Sequence, residues 1–197
     1  MLFRSVAVRG LIGAVLGINR EELYEKTKDI KVAVQVINEI KKDMQSFNLI
    51  NMKSSDKIFR FPSNVEFLRD VKYRIFIKAD ENLINKLQSS LVKGEVVFTP
   101  YLGASEHIAK LEYEGVYNCE KLPKGQYGII STVDLDSNTI DFDDSDILLT
   151  TDNIPIDNDK NREYTKYKKV IFATGENKIS VNTDNSYKVG EYNVIFL

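Results

Sequence analysis

An α+β fold, with a ferredoxin-like domain that carries a protruding insert and is followed by a β-rich region, is what this chain predicts. Three observations carry that reading. Two period-2 apolar segments, Asp29–Asn38 and Val71–Ala79, are separated by an insert longer than a compact connection needs. A helical stripe at Leu83, Leu87 and Leu91 follows the second of them. From Glu106 onward, short apolar stretches alternate with Asp, Asn and Gly turns, the pattern of successive strands.

Taken in order, the first element is Arg9–Ile18, apolar nearly all round and so suited to the interior. Gly10, Gly13 and Gly17 recur at i, i+3 and i+7 and share one helix face. Because glycine costs about 1 kcal/mol in a helix interior, three of them imply a close approach. The preferred reading is a buried helix packed on the sheet; the other is approach to a ligand's backbone. Asn19 with Glu22 three residues later reads as an N-cap and capping-box partner for a helix through Leu23 and Tyr24.

In Asp29–Asn38, Ile30, Val32, Val34 and Val36 hold the even positions, which gives a strand with one buried face. In Val71–Ala79, Tyr73, Ile75 and Ile77 alternate with Lys72, Arg74, Phe76 and Lys78, so one face is apolar and the other largely basic. Asp80 caps the helix Glu81–Lys93, Gly94 ends it, and Val96–Thr99 follows as a short strand closed by Pro100. Helix, strand, insert, strand, helix, strand is most of a ferredoxin-like arrangement, the opening strand aside. The insert, Ile40–Asp70, holds Lys41, Lys42, Lys53, Lys57, Arg60 and Arg69 and reads as a functional loop or protruding hairpin.

Beyond Glu106, strands are expected at Ala109–Tyr117, Tyr127–Asp134, Thr139–Phe142, Val170–Thr174, Lys178–Val181 and Tyr192–Leu197. The division falls between residues 1–103 and 104–197, with the insert at about 40–70.

Charge divides the chain at a nearby point. Residues 1–93 carry 17 Lys and Arg against 11 Asp and Glu, a net +6, whereas residues 94–197 carry 10 against 18, a net −8. Arg4, Arg9, Arg20, Arg60, Arg69 and Arg74 all lie in the first part, and guanidinium is well shaped to fork onto phosphate oxygens. Either a polyanion faces that part, or its charges scatter over the folded surface.

One cysteine, Cys119, excludes a disulfide framework and a Cys-rich zinc site, and points to a reducing, cytoplasmic setting. No apolar run reaches the roughly 20 residues of a membrane span. Gly10–Ile18 after Arg4 and Arg9 mimics a secretory leader, but Asn19-Arg20-Glu21-Glu22 follows without a small-residue cleavage site.

Asp134, Asp136, Asn138, Asp141, Asp143, Asp144 and Asp146 invite a metal reading, yet a calcium loop from Asp134 would need glycine and glutamate where Thr139 and Ser145 stand. The preferred alternative is a hairpin with its acids outward, Val133 and Leu135 facing Ile140 and Phe142 across a Ser137-Asn138 turn. No metal or cofactor is expected. The single histidine, His107, has no nucleophile motif beside it, and neither phosphate-binding glycine pattern occurs. The segment Thr99–Glu106 brackets Tyr101 between Pro100 and Gly103. It either presents Tyr101 to stack on a base or packs it between two subdomains.

RGLIGAVLGI (Arg9–Ile18), FRFPSNVEFLRDVKYRIFI (Phe59–Ile77), VVFTPYLGASEHIAKLEY (Val96–Tyr113) and YKVGEYNVIFL (Tyr187–Leu197) together resemble the CRISPR-associated protein 5 family, in its type I-B form. The resemblance implies an RNA-recognition-like domain with Ile40–Asp70 as a thumb and a β-rich C-terminal part. It also implies an opening strand ahead of the glycine-rich helix, where only Met1–Val8 stand here.

By that resemblance the chain is a subunit of the Cascade surveillance complex in antiviral defence. It would grip the 5′ handle of the CRISPR RNA, contact the backbone and large subunits, and meet target DNA only through the complex. The RNA contacts expected are Arg9, Lys57, Arg60 and Arg74 as cations, Tyr101 for stacking, and Gly10 and Gly13 for close backbone approach. Type I-C relatives cut precursor RNA without metal, using a tyrosine, a lysine and a histidine, whereas type I-B systems use a separate endoribonuclease. A non-catalytic scaffold is therefore expected. The alternative is a metal-independent endoribonuclease with His107 as acid or base, and a third reading is an assembly subunit whose RNA contact is incidental.

Overall fold

The structure, a computed structural model, describes residues 4–50, 60–142 and 147–197. Helix α1 (Ser5–Leu16) is followed by α2 (Arg20–Thr27), and then by strands β1 (Lys31–Val36), β2 (Lys41–Ile50), β3 (Arg60–Arg69) and β4 (Tyr73–Lys78). Helix α3 (Glu81–Lys93) completes this part. Nine short strands follow: β5 (Cys119–Lys121), β6 (Gly125–Ile129), β7 (Val133–Asp134), β8 (Thr139–Asp141), β9 (Thr150–Asn158), β10 (Tyr164–Phe172), β11 (Ile179–Thr183), β12 (Tyr187–Val189) and β13 (Tyr192–Val194). The class is α+β, built from small antiparallel sheets. None of the described helices is long and apolar enough to cross a membrane.

The pair β1–β4 is the centre. Val32 and Val34 of β1 face α1 and α3, where Val8, Leu11, Ile12, Val15 and Leu87 close the first core and Leu83 and Leu91 flank it. The expected stripe on α3 is therefore in place, with Asp80 accepting the Leu83 N–H at 2.9 Å and Gly94 at φ 68° ending the helix. Asn19 occupies the N-cap of α2, but its side chain makes no capping bond, and Glu22 instead pairs with Lys26 at 2.9 Å.

β1 differs from the expectation of one buried face. Ala33 and Gln35 read as outward because one is small and the other polar, yet both are fully buried. Ile130, Tyr187, Val194 and Phe196 pack over Ala33, while Val36 joins Ile154, Ile156, Val170 and Phe172. Backbone bonds from Thr132, Gly175 and Leu197 to the carbonyls of Val34, Val36 and Val32 seal the strand's second edge.

The expected strand at Val96–Thr99 does not form. Val97 and Phe98 instead donate their backbone N–H groups to Val15 and Ala14, satisfying carbonyls that the end of α1 leaves unpaired. Ala109–Tyr117 is extended and alternately buried as far as Glu114, but it joins no ladder. Of the four-stranded sheet expected, the described residues form the two-stranded pair β1–β4.

The acidic hairpin is also replaced. β7 pairs with β10 and β8 with β11, so the two strands expected to face each other lie in different sheets. Asp134, expected to point outward, is buried. It accepts from the Asp136 N–H at 2.9 Å, from Ser137 Oγ at 3.0 Å and from Lys168 Nζ. A carboxylate with three donors folds its own loop instead of waiting for a cation. No group of three potential ligands is assembled among the described residues; Asp143, Asp144 and Asp146 lie outside them.

Candidate nucleic-acid interface

The insert forms a two-stranded arm. β2 and β3 pair over their full length from Lys41↔Arg69 to Ile50↔Arg60, with both faces of the outer half exposed. Cross-strand partners share a face, which places Phe47, Leu49, Phe61, Val65 and Phe67 on one side of the ribbon. On the other side Arg60 sits opposite Ile50. Lys42 pairs with Glu66 at 3.0 Å and Arg69 with Asp70 at 3.3 Å, but Lys41 and Arg60 meet no acid among the described residues. Lys57 lies outside the described residues.

The loop with Tyr101 stands beside this arm and is rigid for local reasons. Ala109 N–H donates to the Pro100 carbonyl at 2.9 Å, Leu102 N–H to His107 at 2.9 Å and His107 N–H to Ala104 at 3.0 Å. Gly103 turns the chain at φ 86°, a conformation that L side chains resist. Leu102 points into the first core, so its neighbour Tyr101 points out and is 52% exposed.

Loop and arm are joined by aromatic rings. His107 meets Phe67 edge to face at 4.7 Å, and Phe67 meets Phe47 at 5.8 Å. No hydrogen bond to the His107 imidazole is made among the described residues; its contact is the Phe67 ring. Sequence reasoning missed Phe47 and Phe67, although Phe61, Val65 and Phe67 share one parity, the signal by which their common face was available.

Two expected contacts are occupied elsewhere. Arg9 lies in α1, buried, with Nη1 bonded to Asp157 at 2.8 Å and Nη2 to the Lys28 carbonyl at 3.1 Å. Burial pushes the Asp157 carboxyl up, but the bonds from Arg9 and from the Asn158 N–H outweigh it and hold the group below its ordinary value. Arg74 projects from β4 with its Nε on Glu114 at 2.9 Å, Nη1 on the buried Gln35 amide oxygen at 2.9 Å, and Glu176 at 3.7 Å. Its guanidinium also covers the Tyr192 ring at 4.7 Å. Both arginines tie the first part of the chain to the second.

The glycines separate as well. A Cβ on Gly13 would stand 2.5 Å from Leu23 Cδ1 of α2, and one on Gly17 would stand 2.8 Å from Val97. Those close approaches are made by the protein itself. Gly10 faces open space.

The candidate contacts that remain are Lys41 at the base of the arm, Tyr101 on the stiff loop, the open surface at Gly10 and, at the far end of the arm on its other face, Arg60. Such a set can neutralise phosphates and stack a base. No curated protein matches the chain. Among solved structures it is similar to a chain of a CRISPR RNA-guided surveillance complex, at 15% identity and a TM-score of 0.41, covering 88% of this chain and 78% of that one; a likeness so distant carries no argument. The family model for the CRISPR-associated protein Cas5 matches residues 6–174, and with most of its length so matched the chain belongs to the Cas5 family.

Proposed function

We propose that the protein is a non-catalytic, RNA-binding subunit of a type I CRISPR surveillance complex of the type I-B kind, which grips the 5′ handle of the CRISPR RNA with its arm and its Tyr101 loop. Family membership supports the setting. The observation that carries the RNA contact is an exposed arm and a stiff loop presenting Tyr101, joined through Phe67 and His107, with Arg60, which meets no acid among the described residues, at the arm's far end. His107 acts here as a clasp between the two. The backbone and large subunits of the complex are the protein partners of this reading, and the cytoplasm is its compartment.

Filter binding of handle RNA at two salt concentrations tests it. Affinity should fall with salt, and Arg60→Ala should lower the slope of log K against log salt by about 0.7, the share of one phosphate on a single strand. Tyr101→Ala should weaken binding by about 1–3 kcal/mol, the worth of one stacked base. Affinity that ignores salt and both substitutions would leave an assembly role only. Repeat RNA incubated with the protein in EDTA should stay uncut; cleavage that disappears in His107→Ala would make the protein the endoribonuclease instead.

A further inference from the structure

Cations are unevenly placed in the acidic part of the chain. Residues 94–197 carry ten Lys and Arg, and five of them, Lys160, Arg162, Lys166, Lys168 and Lys169, fall within residues 160–169, the turn and second strand of the β9–β10 hairpin, against the single acid Glu163. Two are spent inside the protein, Lys168 on the buried Asp134 and Lys160 on Glu25 at 3.6 Å. Arg162, Lys166 and Lys169 form no ion pair among the described residues. The turn that carries them is firmly bonded: Asp159 N–H donates to the Glu163 carbonyl at 2.9 Å, Arg162 N–H to the Asp159 carbonyl at 3.0 Å, and Glu163 N–H to the Asp159 carboxylate at 2.8 Å.

Two tyrosines are interleaved with these cations. Tyr164 and Tyr167 are 45% and 51% exposed and meet edge to face at 6.2 Å. Arg4 donates to the Tyr164 hydroxyl at 2.9 Å and lies over its ring at 5.3 Å, which fixes Tyr164 in place. Tyr167 forms a wall of an open groove of about 560 Å³, with Lys169, Thr151, Asn153, Asp136 and Asp152 as the other lining residues. Register explains the set. Tyr167 stands opposite Pro155, Lys169 opposite Asn153 and Ile171 opposite Thr151, so these alternate residues share one face of the ladder. Asp136 arrives from the end of β7, which pairs with the other edge of β10.

The groove thus joins one ring, one cation, an amide, a hydroxyl and two carboxylates. Asp136 and Asp152 would weaken a site for phosphate alone, and an apolar ligand would meet little apolar wall beyond Tyr167. A nucleotide has a use for each group: the base stacks on the ring, the phosphate meets the lysine, and a carboxylate accepts from an exocyclic amino group, as it does from cytosine N4. Arg162 and Lys166 continue the positive charge along the hairpin beyond the groove, more than a single phosphate needs.

We propose that the β9–β10 groove binds single-stranded nucleic acid, seating on Tyr167 one base that carries an exocyclic amino group, with backbone phosphates on Lys169 and Lys166. The groove shares no residue with the arm or the Tyr101 loop, so it can hold a strand whether or not they grip the handle.

Fluorescence anisotropy with labelled octamers of oligocytidylate and oligouridylate tests it. Titrations use full-length Tyr101→Ala protein, so that the loop contributes no stacking. The cytidylate octamer should bind about fivefold or more tightly than the uridylate one, and its deoxy form should bind as well, since base and phosphate are read and the sugar is not. Adding Tyr167→Ala should weaken binding about fivefold or more, and Tyr167→Phe should restore it. Lys169→Gln should lower the slope of log K against log salt by about 0.7, and Asp136→Ala should bring the two octamers together. Equal affinity for both octamers, indifference to Tyr167→Ala, loss of binding in the deoxy form, or cytidine monophosphate binding as tightly as the octamer each overturns the proposal.

Discussion

Arginines 9, 60 and 74 are chemically identical and part company according to what each guanidinium reaches. Arg74 neutralises Glu114 and satisfies the buried Gln35 amide, so Arg74→Ala leaves a buried acceptor without its donor and should cost about 1–3 kcal/mol in urea unfolding. Arg60→Ala should change stability by no more than about 0.5 kcal/mol while weakening RNA binding. Two carboxylates make the fold sensitive to acid. Burial raises Asp134 and Asp157, but bonds from Lys168 and Arg9 respectively, with backbone N–H groups, bring both below the ordinary 3.8. A group titrating lower in the folded chain contributes stability that is whole above the unfolded value and is lost as pH falls through the folded one. The urea midpoint should therefore hold from about pH 7 to 5 and drop below about pH 4, with a shallower drop in Asp134→Asn. The sequence displayed the charges but not their partners, since Asp157 lies 148 positions from Arg9 and Glu114 lies 40 from Arg74.

Elements written by local spacing were legible and those written by distant contact were not. α3, with its aspartate cap, leucine stripe and terminal glycine, needed only its own residues. β9 and β10, nine residues each, were unreadable in one case and shortened in the other: Pro155 and several Asp and Asn residues break the apolar pattern of β9, and Tyr164–Lys169 is polar where it faces solvent. Even the glycine-rich helix was legible only as a face, without saying which glycine met what. Substitution separates them. Gly10→Ala meets nothing and should raise stability by about 0.5–1 kcal/mol through helix propensity. Gly13→Ala forces Leu23 to turn aside and should cost about 1–2 kcal/mol. Thermal unfolding of both variants checks this, and a Gly10→Ala protein that melts higher yet binds handle RNA more weakly would place RNA against that helix.

Across the whole molecule, the charge asymmetry that suggested a polyanion is partly an internal affair. Arg4 reaches Tyr164, Arg9 reaches Asp157, and Arg74 reaches Glu114 and Glu176, so the two oppositely charged parts of the chain bind one another before either binds a partner. The closure of β1 carries a further consequence, in time. Its carbonyls at Val34, Val36 and Val32 are met by Thr132, Gly175 and Leu197, all translated long after it. On a ribosome adding about 5–20 residues per second, the wait from Val32 to Leu197 is on the order of ten seconds. For that interval an apolar strand with an open edge hangs from the nascent chain, and whatever holds it then, a chaperone or a neighbouring polypeptide, is the protein's first partner in the cell.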